Sequence, residues 1–121
     1  MLNTLTLLAA LAAAPAADSI PATWQIKGDV AGNALDLKCT FVQTGATLGG
    51  SCDMAGTPVA ITGEVKDGKI TFQHGGDYEG QALTIVYAGT LSSPTEIKGT
   101  VNVKPFDIAG DFTATAAPAR P

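Results

Sequence analysis

The stretch CTFVQTGATLGGSC, residues 39–52, contains both cysteines of the chain, one on each side of a Thr-Gly pair. Apolar and polar residues alternate on both sides of that pair, which is typical of two strands joined by a tight turn. Cys39 and Cys52 fall on the same phase of the alternation. Folding the chain at the Thr-Gly-Ala turn therefore predicts that the two cysteines lie opposite one another, or within one residue of it, on the inward face of a hairpin.

The two cysteines are predicted to form a structural disulfide. A zinc site would need further Cys or His ligands nearby, and the chain has a single His, so no metal site is predicted. A redox centre would normally use a C-x-x-C motif rather than cysteines on separate strands. A disulfide also indicates an oxidising compartment. The alternative is a pair of reduced, buried thiols that pack as small apolar groups.

The rest of the chain continues the pattern of this hairpin. Short alternating segments are separated by turn residues, and no ten-residue window after the N-terminal segment has a convincing helical period. Strands are predicted at 23–30, 35–43, 47–54, 58–66, 69–74, 82–91, 96–103 and 106–114. About eight sequential strands with short connections favour an all-β fold, a single antiparallel up-and-down meander closed into a small barrel, because closure removes unpaired edges.

Glycines recur on the apolar phase, which is predicted to face the interior of the barrel. The tetrads KGDV, GGSC, TGEV, AGTL, KGTV and AGDF each place a glycine on that phase, two positions before an inward apolar residue. Such glycines are predicted to let the strands coil tightly where a side chain would clash. The alternative is that they leave space for a ligand.

The two ends of the chain differ in composition from the predicted barrel domain, residues 17–115. Residues 1–16 are apolar and end in Ala-Pro-Ala, which predicts a secretory signal peptide cleaved after Ala16. An uncleaved anchor is the alternative, since this segment lacks Lys and Arg. Residues 116–121 are predicted to be a disordered tail. Cleavage would leave no membrane span and predicts a periplasmic or extracellular location.

Composition excludes several classes of function. The chain has 121 residues, enough for one domain, and a formal net charge of −4 with Lys and Arg totalling 7. Nucleic-acid binding requires a basic face, so no nucleic-acid partner is predicted. Hydrolytic chemistry requires a nucleophile and base, or paired carboxylates, in one pocket, whereas the acidic residues of the strands fall on the outward phase. We therefore expect no enzyme activity and no cofactor.

Trp24 opens the first predicted strand, and the segments FVQTGATLGGSC, VAITGEV, TIVYAGTL, IKGTV and IAGDFTA follow it. In these turns, bends and core positions the chain resembles small exported bacterial eight-stranded β-barrel modules that are lipocalin- or avidin-like in shape. The resemblance implies a barrel, and lipocalins and avidins bind small ligands in the barrel mouth. Biotin is not implied, because an avidin-type site is walled by several tryptophans and this chain has just one. The helix that flanks the lipocalin barrel is also missing.

The strand order predicts one plugged end and one open end. The end near the N-terminus collects large inward residues such as Trp24 and Phe112, whereas the other end has smaller residues and the connection 75–81. A small apolar or amphipathic molecule is predicted to bind at the open end. The predicted site residues are His74, Tyr78, Met54, Val30, Leu83, Val103, Phe106 and Tyr87. His74 is predicted either to anchor a polar group of the ligand or to be a rim residue that contacts only water. The alternative function is a structural or protein-interaction module of the envelope with a filled barrel.

Overall fold

The computed structural model describes residues 19–116, and these fold into one sheet of nine strands. The strands are β1 Thr23–Val30, β2 Asn33–Thr44, β3 Thr47–Met54, β4 Thr57–Ala60, β5 Thr62–Lys66, β6 Lys69–Tyr78, β7 Gln81–Ser93, β8 Glu96–Lys104 and β9 Ile108–Ala116. Within these residues there is no helix of the length and apolar character needed to cross a membrane. The predicted signal peptide and the tail beyond Ala116 lie outside the described residues.

The sheet closes on itself, because β1 pairs with β9 on one side and with β2 on the other. All pairings are antiparallel, and apart from the contacts of β3 with both β4 and β5 they follow chain order. The predicted closed antiparallel meander is therefore confirmed. β4 and β5 are the two halves of the predicted strand 58–66, since they continue one register along β3, and Ile61 separates them.

Three turns at the end of the barrel opposite Trp24 share one construction. In the sequences DVAG, DMAG and DYEG, the Asp carboxylate accepts a hydrogen bond from the Gly N–H, at 2.9, 2.8 and 3.3 Å. The last two residues of each motif are the central residues of the turn, and both have positive φ, the conformation of the tight turns that match the twist of a hairpin. The three motifs begin at Asp29, Asp53 and Asp77, so they recur at a constant interval.

Two predicted connections were placed wrongly. The long loop predicted at 75–81 is absent, because β6 continues to Tyr78 and β7 begins at Gln81. The last strand begins at Ile108 rather than at 106, and Phe106 lies in the turn before it. The open end is therefore formed by tight turns on extended strands rather than by one long loop.

The half of the barrel nearer Trp24 is filled by aromatic side chains. Phe72 stacks on Tyr87 with ring centroids 4.5 Å apart and an interplanar angle of 6°. Phe112 packs edge-on against Tyr87 at 5.3 Å, and Phe41 against Phe72 at 5.1 Å. Trp24 is fully buried, and its indole N–H donates to the Pro21 carbonyl at 2.7 Å, which ties the segment before β1 to the closed end. The predicted plug at this end is confirmed.

The predicted disulfide is confirmed. Cys39 on β2 and Cys52 on β3 are direct cross-strand partners, and their sulfur atoms are bonded. Their Cα atoms lie 3.9 Å apart, and both residues are buried. The alternative of two reduced thiols is therefore wrong.

The inward glycines mark places where neighbouring strands approach each other closely. A Cβ on Gly28 would meet the carbonyl oxygen of Asp111 on β9, and one on Gly99 would meet the carbonyl oxygen of Ala88 on β7. The ring of Phe112 lies beside a third glycine, Gly89, where its Cζ would be 3.1 Å from an added Cβ. The space that a side chain would need at these glycines is already filled by backbone atoms and an aromatic ring. The structural interpretation of the glycines is confirmed, and the alternative of space for a ligand is wrong.

Candidate functional site

The barrel wall has one unpaired stretch, between β4 and the end of β6. β5 pairs with β6 as far as Thr62 and Gln73, and no pairing joins β4 to β6. Continuing the same register would place Ala60 opposite Gly75 and Pro58 opposite Asp77. Proline has no N–H to donate, so Pro58 removes a hydrogen bond that this part of the ladder would need. We call this stretch, between 57–60 and 75–78, the seam.

A cavity of about 510 Å³ opens at the end of the barrel that carries the three Asp-capped turns. Its volume falls within the range of about 300–1,000 Å³ that is typical of small-molecule sites. It is lined by Val30, Ala31, Asn33, Leu35, Tyr78, Leu83, Ile85, Val103, Phe106 and Ile108. These residues come from β1, β2, β6, β7, β8 and β9 and from two turns. The wall is apolar apart from the Asn33 amide, the Tyr78 hydroxyl and backbone groups.

Three apolar side chains of the lining remain exposed around the mouth of the cavity. Tyr78 is 59% exposed, Phe106 49% and Ile108 40%. Phe106 lies in the β8–β9 turn, where Lys104 forms an ion pair of 2.6 Å with Asp107. Large apolar groups gathered at the rim of an open apolar cavity are typical of a surface that becomes buried when a ligand binds.

The structure brings together five of the eight predicted site residues. Val30, Tyr78, Leu83, Val103 and Phe106 all line the cavity. Met54 does not contribute to the lining and packs against the hydrophobic core instead. His74 and Tyr87 also lie outside the lining, as buried residues.

Five lining residues were not predicted. Leu35, Ile85 and Ile108 share the inward phase with the predicted residues, so the alternation contained the signal for them. Ala31 and Asn33 belong to the first tight turn or border it, where alternation no longer indicates direction. They form the lip of the cavity because that turn stands beside it.

His74 and Tyr87 form a buried hydrogen-bonded pair. His74 is 3% exposed, and its Nδ1 lies 2.8 Å from the carbonyl oxygen of Gly75. A carbonyl oxygen only accepts, so Nδ1 carries the proton and donates it. Nε2 is then the acceptor of the Tyr87 hydroxyl, at 2.9 Å. Both ring nitrogens have protein partners, so the prediction of a rim histidine in contact with water is wrong.

Burial keeps both members of this pair uncharged at neutral pH. Desolvation lowers the pKa of His74 below its ordinary value, although the hydrogen bond to the Gly75 carbonyl opposes that shift. Desolvation also raises the pKa of Tyr87 far above its ordinary value. The imidazole therefore presents no positive charge to the cavity. Its N–H instead satisfies a carbonyl oxygen of the unpaired part of β6, at the seam.

The buried neutral His74 predicts that the protein is less stable in mild acid. The pKa of His74 is lower in the folded protein than in the unfolded chain, where it is about 6.5, so the unfolded state binds the proton more readily. The stabilisation is complete above about pH 6.5 and is lost as the pH falls towards the folded pKa. We expect the free energy of unfolding in urea to fall between pH 7 and pH 5.

The matched control is His74→Gln, which removes the only imidazole of the chain. The variant should be less stable than wild type at pH 7 and should lose much of the slope between pH 7 and pH 5. An equal slope in both proteins would show that other groups cause the acid sensitivity.

The part of the chain described by the structure contains no group of three or more His, Cys, Asp or Glu side chains placed to hold a metal ion. The cavity wall also lacks carboxylates and imidazole among its lining residues. The chemical character of the cavity is therefore that of an apolar wall with two polar side-chain groups, those of Asn33 and Tyr78.

No protein-family model and no curated protein matches the chain. Among solved structures, a redesigned β-barrel superposes with a TM-score of 0.67 at 18% identity, covering 87% of this chain and 98% of that chain. The redesigned β-barrel mFAP1, bound to DFHBI, has a TM-score of 0.59 at 18% identity, covering 84% of this chain and 99% of its own. EF1p2_mFAP2b, also bound to DFHBI, has a TM-score of 0.58 at 15% identity, with coverages of 81% and 94%. At these identities the similarity shows the fold alone, that of a small antiparallel barrel.

Proposed function

We propose that this chain is an exported, non-enzymatic β-barrel that binds a small apolar or amphipathic molecule at its mouth. The observation that carries the proposal is the apolar cavity of about 510 Å³, which is many times the volume of roughly 30 Å³ that one water occupies in the liquid. A barrel filled by side chains would leave no such space.

The hydrophobic effect supplies the driving force for this binding. Tyr78, Phe106 and Ile108 are large side chains that water reaches at the rim, and a ligand seated between them would remove apolar surface from water. Two solved barrels of similar fold are bound to DFHBI, so a barrel of this shape is compatible with a ligand.

Export is supported by the buried disulfide, because such bonds persist in oxidising compartments. The resemblance to small exported bacterial barrels agrees with this location. The proposal of a binding protein rather than an enzyme rests on the cavity wall, whose side chains include no candidate nucleophile with a base.

Filling the cavity is expected to abolish ligand binding without unfolding the barrel. The wild-type protein should increase the fluorescence of the neutral apolar dye N-phenyl-1-naphthylamine on binding it. Val103 is a partly buried lining residue, so the indole of Val103→Trp would occupy part of the cavity. We expect the dye affinity to fall by roughly tenfold or more, because the variant removes the space that the ring needs. Fluorescence titration gives the affinity, and circular dichroism reports the fold.

Val42→Trp is the matched control, since the substitution makes the same change in side-chain size. Val42 is 60% exposed on the outer face of β2, away from the cavity. Its dye affinity should equal that of wild type. Failure of the wild-type protein to bind the dye would count against the proposal and favour the alternative, a structural or protein-interaction module of the envelope. Equal loss in both variants would assign the dye to the outer surface rather than to the cavity.

A further inference from the structure

The net charge of the described chain is concentrated at the mouth of the barrel. Five carboxylates lie in or beside the open-end turns, those of Asp29, Asp53, Asp77, Glu79 and Asp107. The only ammonium group among these turns is that of Lys104, which is paired with Asp107. The described charges outside these turns are five lysines and five carboxylates, which cancel in sum. Among them, Lys38 is the cross-strand partner of Asp53 and Asp111 is that of Asp29.

Four of the five acidic residues are sequence neighbours of residues that line the cavity. Asp29 precedes the lining residue Val30, Asp77 and Glu79 flank Tyr78, and Asp107 lies between Phe106 and Ile108. Their side chains are exposed at this end of the barrel, and the cavity wall itself carries no charged side chain. A ligand bound in the cavity would therefore contact an apolar wall, and the part of it at the opening would lie in a negative electrostatic field.

The interior supplies no positive charge to balance this field. His74 is the one histidine of the chain, and it is buried, neutral and hydrogen-bonded on both ring nitrogens. A carboxylate head group would therefore find no cation within the barrel and repulsion at its mouth. A cationic head group would be attracted by the carboxylates and by the rings of the exposed residues Tyr78 and Phe106, since a cation can bind an aromatic ring.

We infer that the mouth selects an amphipathic ligand with an apolar body and a cationic head group, such as an alkylammonium, and discriminates against anions such as fatty acids. The inference rests on the proposed binding function and names the ligand class of that same site. The carboxylates act through space from the rim, so their effect depends on ionic strength. Screening lengths of about 30 Å at 0.01 M and about 8 Å at 0.15 M allow a large effect in the first case and a small one in the second.

The test compares ligands that share one apolar chain. Decyltrimethylammonium, decanoate and decanol are titrated against bound N-phenyl-1-naphthylamine at pH 7.5, below their micelle-forming concentrations. At an ionic strength of about 0.01 M we expect the cation to bind roughly tenfold more tightly than decanoate or better, with decanol between them. At about 0.15 M the ratio should fall to a few-fold.

Glu79→Lys tests the origin of the preference, since Glu79 lies in the β6–β7 turn and its carboxylate is not one of the three that accept a hydrogen bond from a turn glycine. At low ionic strength its affinity for decyltrimethylammonium should fall by roughly threefold and its affinity for decanoate should rise. Glu64→Lys is the matched control, because Glu64 is an exposed residue of β5, the strand that leads towards the closed end. Its ligand affinities should change much less than those of Glu79→Lys.

The outcomes separate the two proposals. Dye binding without a preference for the cation, or with a preference for decanoate, would overturn the inference and leave the binding function standing. A preference that Glu79→Lys and Glu64→Lys reduce equally would also overturn it, because the effect would then be one of total charge. Absence of binding by every probe, including the dye, would overturn the binding function and the inference together.

Discussion

Replacing Cys39 with alanine is expected to lower the free energy of unfolding by about 3 kcal/mol. The disulfide joins residues 13 positions apart across neighbouring strands, so the intact bond restricts the unfolded chain to conformations that keep this hairpin closed. Both cysteines are also part of the hydrophobic core, so each sulfur contributes packing in addition to the cross-link. Urea denaturation of the oxidised wild type and the variant measures the difference.

Reduction provides the control that leaves the side chains in place. Wild-type protein in reductant should lose most of the same free energy, and Cys39→Ala should be insensitive to reductant. The double variant Cys39→Ala/Cys52→Ala should resemble the single variant within about 1 kcal/mol, since the cross-link is lost once in each. Two freely reactive thiols in denatured protein isolated without reductant would contradict the assignment of the bond.

The alternation of apolar and polar residues predicts the barrel, because it indicates which face of each strand lies towards the interior. It does not state how a strand is paired along its whole length. The predicted strand 58–66 is continuous in its pattern, yet the structure divides it at Ile61 and leaves β4 unpaired with β6. Pro58 is the local signal for this break, because a residue without an N–H weakens the ladder on that side.

The mistaken loop at 75–81 has a local cause. Gly75 and Gly76 suggest a turn, but both are accommodated within β6, and the turn occurs at Glu79-Gly80. The motif Asp-x-x-Gly, which begins at Asp29, Asp53 and Asp77, marks the actual turns. Comparison of those three segments would have located the third turn from the sequence.

The alternation predicts which residues point into the barrel, but it does not predict how far the cavity extends along the barrel axis. Tyr78 and His74 share the inward phase of one strand with the core residue Phe72, yet only Tyr78 reaches the cavity. The cavity ends where aromatic rings begin to fill the barrel, and His74 lies on the filled side of that boundary. The boundary depends on the stacking of Phe72 on Tyr87, which come from different strands. Such packing is a property of the assembled barrel, so a single-strand pattern does not contain it.

Gly99→Ala is expected to destabilise the barrel by about 3 kcal/mol or more. Gly99 on β8 lies directly opposite Gly89 on β7 and Phe112 on β9. An alanine Cβ would meet the carbonyl oxygen of Ala88, a backbone atom that moves only if the paired strands separate. That separation would disturb the hydrogen bonds of two ladders and the packing of Phe112. Urea denaturation with the disulfide intact gives the loss in free energy.

Gly49→Ala isolates the effect of close approach from the general effect of replacing glycine in a strand. Gly49 on β3 is not among the glycines with positive φ, so its backbone conformation is open to alanine. The nearest neighbour of an added Cβ would be the Val42 carbonyl oxygen, at 3.9 Å. Without a clash, alanine restricts the unfolded chain and should leave the stability unchanged or raise it by up to about 1 kcal/mol. Equal stabilities of Gly99→Ala and Gly49→Ala would show that the strands have room at the bend, and the ligand-space interpretation of the inward glycines would then have to be restored.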